Sequence, residues 1–440
     1  MINSQLALYH SAHTIFIGYS GGIDSHVLLH LLASTPELKP KLCAVYIHHG
    51  IQASADDWAL HCQKIASTLS VKFQVVKVNA QAFAGQSPEE AARNARYQAF
   101  KNLLAKDDVL LFAQHRHDQL ETVLLQMFRG AGLKGLSGMP FDTSFAAGRL
   151  LRPLLDINQQ AIEHYAQQHK LQWIEDPSNQ ERQFDRNYLR HEIIPLLEKR
   201  WPSLDKTVAR VAEHCADAQS VLSSSAHEKM QLLYDGQKNS LSISGLLENN
   251  HLNQQWIIRE WLHHLGARMP TQKVLVAIMQ DILPAQSGAN PIVEHDGYTI
   301  QRYRDALYLV ATNEKPDLAQ VFTWPANADS LVLTNNGVLQ LKEAKQGIAK
   351  QFWQHADILV KYRQGGEKIS LPQRTGRHSL KKIYQEAGIA PWMRDSIPLI
   401  YIAGKLAVVA NVCISADFYV ENTRCVTHIW QQENDIPIAY

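Results

Sequence analysis

The residues best suited to chemistry are six in a row, Ser20-Gly21-Gly22-Ile23-Asp24-Ser25. They lie between an apolar run, Ile15 to Ile17, and an apolar-periodic stretch through Val27, Leu28, Leu31 and Leu32. That order reads as strand, tight turn and helix. Two adjacent glycines let the backbone bend with φ > 0 and approach a ligand closely, while the amides that open the following helix point outward without partners. An anion fits such a turn. Ser20 and Ser25 add hydroxyl donors, and the Asp24 carboxylate suits a divalent cation held against phosphate oxygens.

Neither common nucleotide loop is present. No lysine follows the glycines as a G-x-x-x-x-G-K-[ST] loop requires, and Gly18, Gly21 and Gly22 do not have the G-x-G-x-x-G spacing. S-G-G-x-D-S is instead similar to the pyrophosphate loop (PP-loop) of enzymes that cleave ATP between its α and β phosphates. A glycine turn that only links strand to helix is the alternative reading.

The elements that must position this turn follow from hydrophobic pattern. Leu42 to Ile47 is continuously apolar and ends in His48-His49-Gly50, as expected of a strand buried on both faces of a parallel sheet. Strands are also expected at Phe73 to Val78 and Val109 to Ala113. Helices are expected from about Ala55 to Leu69, from a capping box at Ser87-Pro88-Glu89-Glu90 to Leu104, and from Asp118 to Phe128. This alternation predicts a doubly wound α/β domain over 13–130, in which ligands sit beyond the carboxyl ends of the strands. The glycine turn, His48-His49-Gly50 and Gln114-His115-Arg116-His117-Asp118 should therefore converge on one crevice. Asp118, Glu121, Thr122, Leu125 and Arg129 share a helical face, which also fits a solvated, dipole-matched helix. Gly130 to Met139, with four glycines and one lysine, reads as a close-approach loop or a plain connector.

Composition narrows the class. The 440 residues call for two or three domains, and 45% hydrophobic with 19% charged residues describes a soluble globular protein. The net charge of +1 excludes a global field for nucleic acid, so any such partner must be met by local patches. Five scattered cysteines, none in a C-x-x-C pair, argue for a reducing compartment and against a disulfide framework or a metal cluster. With no signal-peptide pattern and no run of about 18 apolar residues, a cytoplasmic protein without membrane contact is expected.

Beyond residue 203 the pattern is helical at Val208 to Leu222 and Leu252 to Leu265. It then turns strand-like at Tyr298 to Val310, where alternation breaks at Arg302 and Arg304, and 314–350 reads as linker plus short strands. From Lys361 to Lys382, seven Lys or Arg stand against one acid, Glu367. That density suits phosphate-backbone contact, although a solvated hairpin reads the same way. The apolar runs Ile397 to Ile402 and Leu406 to Val412 make this segment part of a small α+β module.

Taken together, the motifs resemble the tRNA(Ile)-lysidine synthetase family over nearly the whole chain. The resemblance is carried by S-G-G-I-D-S, Y-I-H-H-G (46–50), A-A-R-N-A-R-Y (91–97), H-R-H-D-Q-L-E-T (115–122), R-G-A-G-L-K-G-L-S-G-M (129–139), W-I-E-D-P-S-N (173–179), F-D-R-N-Y-L-R (184–190), R-Q-G-G-E and K-K-I-Y-Q-E-A-G-I-A-P-W-M-R. It implies a PP-loop ATP-pyrophosphatase domain at 1–205, a mostly helical tRNA-contacting domain at 206–315 and a basic α+β tRNA-binding domain at 350–440. It also implies a ligase that uses ATP and Mg2+. The C2 oxygen of the wobble cytidine in the CAU anticodon of tRNA(Ile) is adenylated with release of diphosphate, and the side-chain amine of free L-lysine then displaces AMP.

On that resemblance Ser20, Gly21, Gly22, Ile23, Asp24, Ser25 and His49 bind the nucleotide, with Asp24 holding the metal. Asp118 and Glu121 hold and deprotonate the lysine ammonium beside the Gln119 amide, and Arg93, Arg96, Arg129, Lys381 and Lys382 meet phosphate or tRNA. One position departs from the family, which usually has an aspartate where this chain has His117. A tRNA thiolase would want paired catalytic cysteines. An amidotransferase-type synthetase would not need the basic module, and an inert tRNA-binding protein would not need the intact serines and Asp24. A homodimer is left open.

Overall fold

The computed structural model describes residues 6–50, 54–79, 81, 88–286, 289, 291–312 and 316–431. Contacts divide the chain into two compact units, 1–222 and 223–440.

The first unit is built on a six-stranded sheet in the order Lys72–Lys77, Leu42–His48, Ile15–Gly18, Val109–Leu111, Gly148–Leu151, Asp142–Phe145. The first five strands are parallel, and Asp142–Phe145 closes the edge as an antiparallel hairpin. Side chains alternate across a strand, so one strand feeds two cores. Ile15 and Ile17 pack with Val27, Leu28, Leu32, Cys62 and Ala66 on one face, while Phe16 packs with Ala99, Phe100, Leu104 and Phe112 on the other. That double burial explains the unbroken apolarity of Leu42–His48. Chain order runs outward from Ile15–Gly18 through two strands and then returns to its other side. The sheet therefore reverses direction beside the glycine turn, where α/β folds bind ligands.

The expected helices are present at Ile23–Ala33, Ala55–Thr68, Pro88–Leu103 and Arg116–Phe128. Ser87 of the expected capping box lies outside the described residues. The Leu204–Leu233 helix carries the chain from the first unit into the second.

In the second unit the segment expected to be mostly helical also contains a five-stranded antiparallel sheet. Two of its strands, Tyr234–Asp235 and Ser240–Ser242, are too short to leave a period-2 signature. Tyr298 to Val310 is two strands, and the break in alternation is a hairpin turn with Arg304 at φ 54. The segment expected as linker plus short strands differs most, in carrying one long strand. Val338–Ala349 pairs with Tyr419–Gln431 and Phe322–Thr323 with Ile358–Lys361, so Trp324, Leu333, Leu339 and Ile348 share a core with Leu399 and Val408. The C-terminal fold thus begins before residue 350. Its strands find partners up to about ninety residues away, and no local pattern records that.

His428 lies in this core against the rings of both Trp353 and Trp324, 6% exposed, and neither ring nitrogen has a hydrogen-bond partner among the described residues. Burial lowers its pKa to about 4, whereas an unfolded histidine takes up a proton near 6.5. Between those values the unfolded chain binds more protons, so stability falls as pH drops from 6.5 to 4 and is independent of this group above 6.5. The full contribution is about 3 kcal/mol. His428→Leu should remove that slope from urea denaturation of the C-terminal core measured across pH 4 to 7.

Candidate functional site

The turn calls for glycine at position 21. Gly21 has φ 83, and a Cβ there would lie 2.6 Å from Ile174 Cδ1 and 2.9 Å from Cys62 Sγ. Gly22 caps the Ile23–Ala33 helix with no side chain over it, leaving the first amides open. The Ser25 hydroxyl donates to the Gly22 carbonyl at 2.9 Å and lies 3.2 Å from the Ser20 hydroxyl. Gly21→Ala would therefore strain φ and collide with Ile174, a cost of about 2 kcal/mol or more. ATP binding by the variant, measured calorimetrically, should be lost together with a clear drop in melting temperature.

The three expected loops do converge. A cavity of about 530 Å³ is lined by Ser20, Gly22, Asp24 and Ser25 from the turn, by His49 and Gly50, and by Gln114 and Asp118. Arg96 and Trp58 also line it. The cavity has a fourth side that periodicity did not indicate. The Ile174 amide donates to the Gly21 carbonyl at 2.9 Å, which brings Ile174, Asp176 and Asn179 of W-I-E-D-P-S-N onto the wall. The motif was visible as residues, but its place opposite a turn 150 residues earlier was not.

The carboxylates are organised by His115, which caps the Arg116–Phe128 helix. Its Nδ1 accepts from the His117 amide at 3.2 Å, so a neutral ring carries its proton on Nε2. That nitrogen lies 3.7 Å from Asp24 Oδ1 and 3.5 Å from Asp118 Oδ2. Burial pushes the Asp24 carboxyl above the usual carboxylate range. His115 pulls against this, and Asp118 adds to it. Burial acts the same way on Asp118, but His115, Arg186 and Arg190 outweigh it and hold its pKa below the ordinary value. At His49, burial, Arg96 and His48 all favour the neutral ring.

Several expected residues are placed differently. Glu121 has no exposed side-chain area and lies against two guanidiniums, Arg186 Nε at 2.7 Å and Arg190 Nε at 2.5 Å. It is not on the cavity wall, and an ammonium could reach it only by displacing an arginine. Arg190 also bonds Asp118 Oδ1 at 3.1 Å, so the two carboxylates share one cation pair. The arginines stand four residues apart around a π-turn, Leu189–Ile193, a spacing that was legible in F-D-R-N-Y-L-R. The Gln119 amide is spent on the Met139 backbone, donating to its carbonyl at 3.0 Å and accepting from its N–H at 2.7 Å. Gly138, at φ 62, passes so close that a Cβ would lie 2.6 Å from Gln119 Oε1. His117, at the departing position, pairs with Glu198 at 3.0 Å. Ile23 supplies helix backbone and packs against the core. Arg93 lies exposed over the Tyr97 ring, Arg129 is exposed just past the helix end, and Lys381 and Lys382 are exposed in the second unit.

Residues 2–197 match the PP-loop domain, 241–308 the TilS substrate binding domain and 358–430 the TilS substrate C-terminal domain. The tRNA(Ile)-lysidine synthase of Coxiella burnetii is 39% identical over 405 residues, covering 91% of this chain and 89% of its own. The chain belongs to the tRNA(Ile)-lysidine synthase family. Membership holds from end to end. The Methylococcus capsulatus synthase is 36% identical over 93% of this chain and 94% of its own, and that of Yersinia pseudotuberculosis serotype O:1b is 38% identical over 98% and 99%. The synthase family's PP-loop domain accounts for the ATP-shaped turn, and its two further domains fall within the second unit. Among the described residues no helix is long and apolar enough to cross a membrane.

Proposed function

We propose that this chain is the ligase that adenylates the C2 oxygen of the wobble cytidine in the CAU anticodon of tRNA(Ile) and then attaches L-lysine. The observation that carries the reading is one cavity holding both a bent, amide-lined turn for a triphosphate and a pair of carboxylates whose pKa values are pushed apart. In this reading the Ser20 and Ser25 hydroxyls and the helix-opening amides bind the phosphates and stabilise charge that develops as pyrophosphate leaves. The cytidine oxygen bonds the α-phosphorus as the bond to the β-phosphate oxygen breaks. The lysine ammonium gives up a proton to solvent, and the free amine then bonds C2 as the bond from C2 to the adenylate oxygen breaks and AMP departs.

Asp118, kept ionised by Arg190 and His115, anchors the incoming ammonium, and the same charge balance makes it a weak base. Glu121 acts through the arginines it fixes. The Asp24 carboxylate, 37% exposed beside open amides and hydroxyls, is the hard oxygen donor that Mg2+ prefers. When bound there, the ion would neutralise charge on the ATP phosphates. Exposed Arg93 and Arg129, the Lys361–Lys382 segment and the middle domain are proposed to meet tRNA phosphates in the cytoplasm.

A sulfur-transfer chemistry is disfavoured by the thiols of the first unit near the turn. Cys43 and Cys62 are buried and burial raises both, Cys62 to about 12, so neither is a ready nucleophile. The test is incubation with ATP, labelled lysine and transcripts of the isoleucine and methionine tRNAs that share CAU. Label should enter the isoleucine transcript alone. Label in neither, with thiolation activity instead, would reject the proposal.

A further inference from the structure

Gln114 and Arg152 have no role in the chemistry above, yet one lines the cavity and the other aims it. Arg152 follows the Gly148–Leu151 strand and is buried. Its Nε donates to Gln114 Oε1 at 2.5 Å and its Nη1 to the Pro140 carbonyl at 2.7 Å. A guanidinium has only donors, so the carboxamide atom facing it must be the oxygen. That fixes the flip of Gln114 and leaves its NH2 as a donor, with no protein partner among the described residues.

The sheet says which ligand this donor meets. The strands Leu42–His48 and Val109–Leu111 flank Ile15–Gly18 on opposite sides. On the first side the cavity wall is Val45, Tyr46, Ile47 and Trp58, an apolar surface suited to a purine face. On the second it is Phe112 and Ala113 at the strand's end, followed by the polar groups Gln114 and Asp118. A base that is to receive an amine held by Asp118 must lie on the second side, beside Gln114.

Resting on the reading under Proposed function, we propose that Gln114 selects cytosine at the reacting position, its NH2 donating to the cytosine N3. Uracil presents an N3–H there, and two donors would face each other. Arg152 is the positioning residue that prevents the amide from flipping to accommodate it. Unpaired buried polar groups give strong discrimination of this kind.

The experiment compares lysine transfer to the CAU transcript and to one carrying UAU, together with ATP affinity by equilibrium dialysis. In Gln114→Leu the preference for CAU should fall by about tenfold to a hundredfold, with the ATP dissociation constant within about twofold of the parent. Gln114→Glu is isosteric, keeps Arg152 paired and presents only acceptors, so its preference should fall further. Its melting curve shows whether the chain is folded. An unchanged preference in the glutamate variant, or weakened ATP binding with unchanged preference, would overturn the assignment. An unsubstituted chain that transfers lysine to neither transcript would remove the functional reading, and this inference with it.

Discussion

Asp24→Ala should abolish lysine labelling of tRNA(Ile), by on the order of 10³-fold, while tRNA affinity stays within about twofold. Asp24 opens the Ile23–Ala33 helix and faces the cavity with His115 behind it. The helix terminus favours a negative charge there, but burial and the neighbouring Asp118 outweigh that, and the carboxyl is pushed up. The folded chain thus disfavours the charge that function requires. The variant should consequently melt no lower than the parent, and slightly higher at neutral pH. Filter binding of labelled tRNA beside the transfer assay separates the two effects. A loss of tRNA binding would contradict the assigned role.

The largest effect on stability is expected at Glu121. Removing it as Glu121→Ala leaves Arg186 and Arg190 against a single carboxylate, Asp118, at the junction where Leu120 and Leu124 pack on Leu189 and Ile194. Breaking a buried pair from one side costs about 3–5 kcal/mol, and denaturant unfolding of the variant should show a loss of that size. Glu121→Gln distinguishes this role from direct lysine binding. If Glu121 only fixes the arginines, the glutamine variant loses stability and turnover together. A variant with parental stability and only a raised KM for lysine would restore the direct contact expected from sequence.

The contrast between Asp24 and Glu121 marks what the sequence could convey. The turn was legible because its chemistry is local: φ at Gly21, the open cap at Gly22 and the hydroxyls of Ser20 and Ser25 are dictated by neighbours within six residues. The parallel sheet was legible because burial on both faces leaves unbroken apolar runs. The partners of Glu121 and Gln119 were not legible because helical spacing tells which face a residue shares but not what lies opposite. Here the opposing groups are Arg186, Arg190 and the Met139 backbone, 20 to 69 residues onward. The place of Asp176 and Asn179 on the cavity wall was hidden for the same reason. In the second unit, 314–350 read as linker plus short strands, and the long strand there was missed, because Val338–Ala349 is half exposed and finds its partner near the end of the described chain.

The claim underlying all of this is that the Ser20 to Ser25 turn grips the triphosphate. A crystal structure with a non-hydrolysable ATP analogue and Mg2+ tests it most directly. The phosphates should lie on the Gly22-capped helix N-terminus within hydrogen-bonding distance of the Ser20 and Ser25 hydroxyls, with the ion on Asp24. A triphosphate bound elsewhere, with that turn empty, would contradict the account.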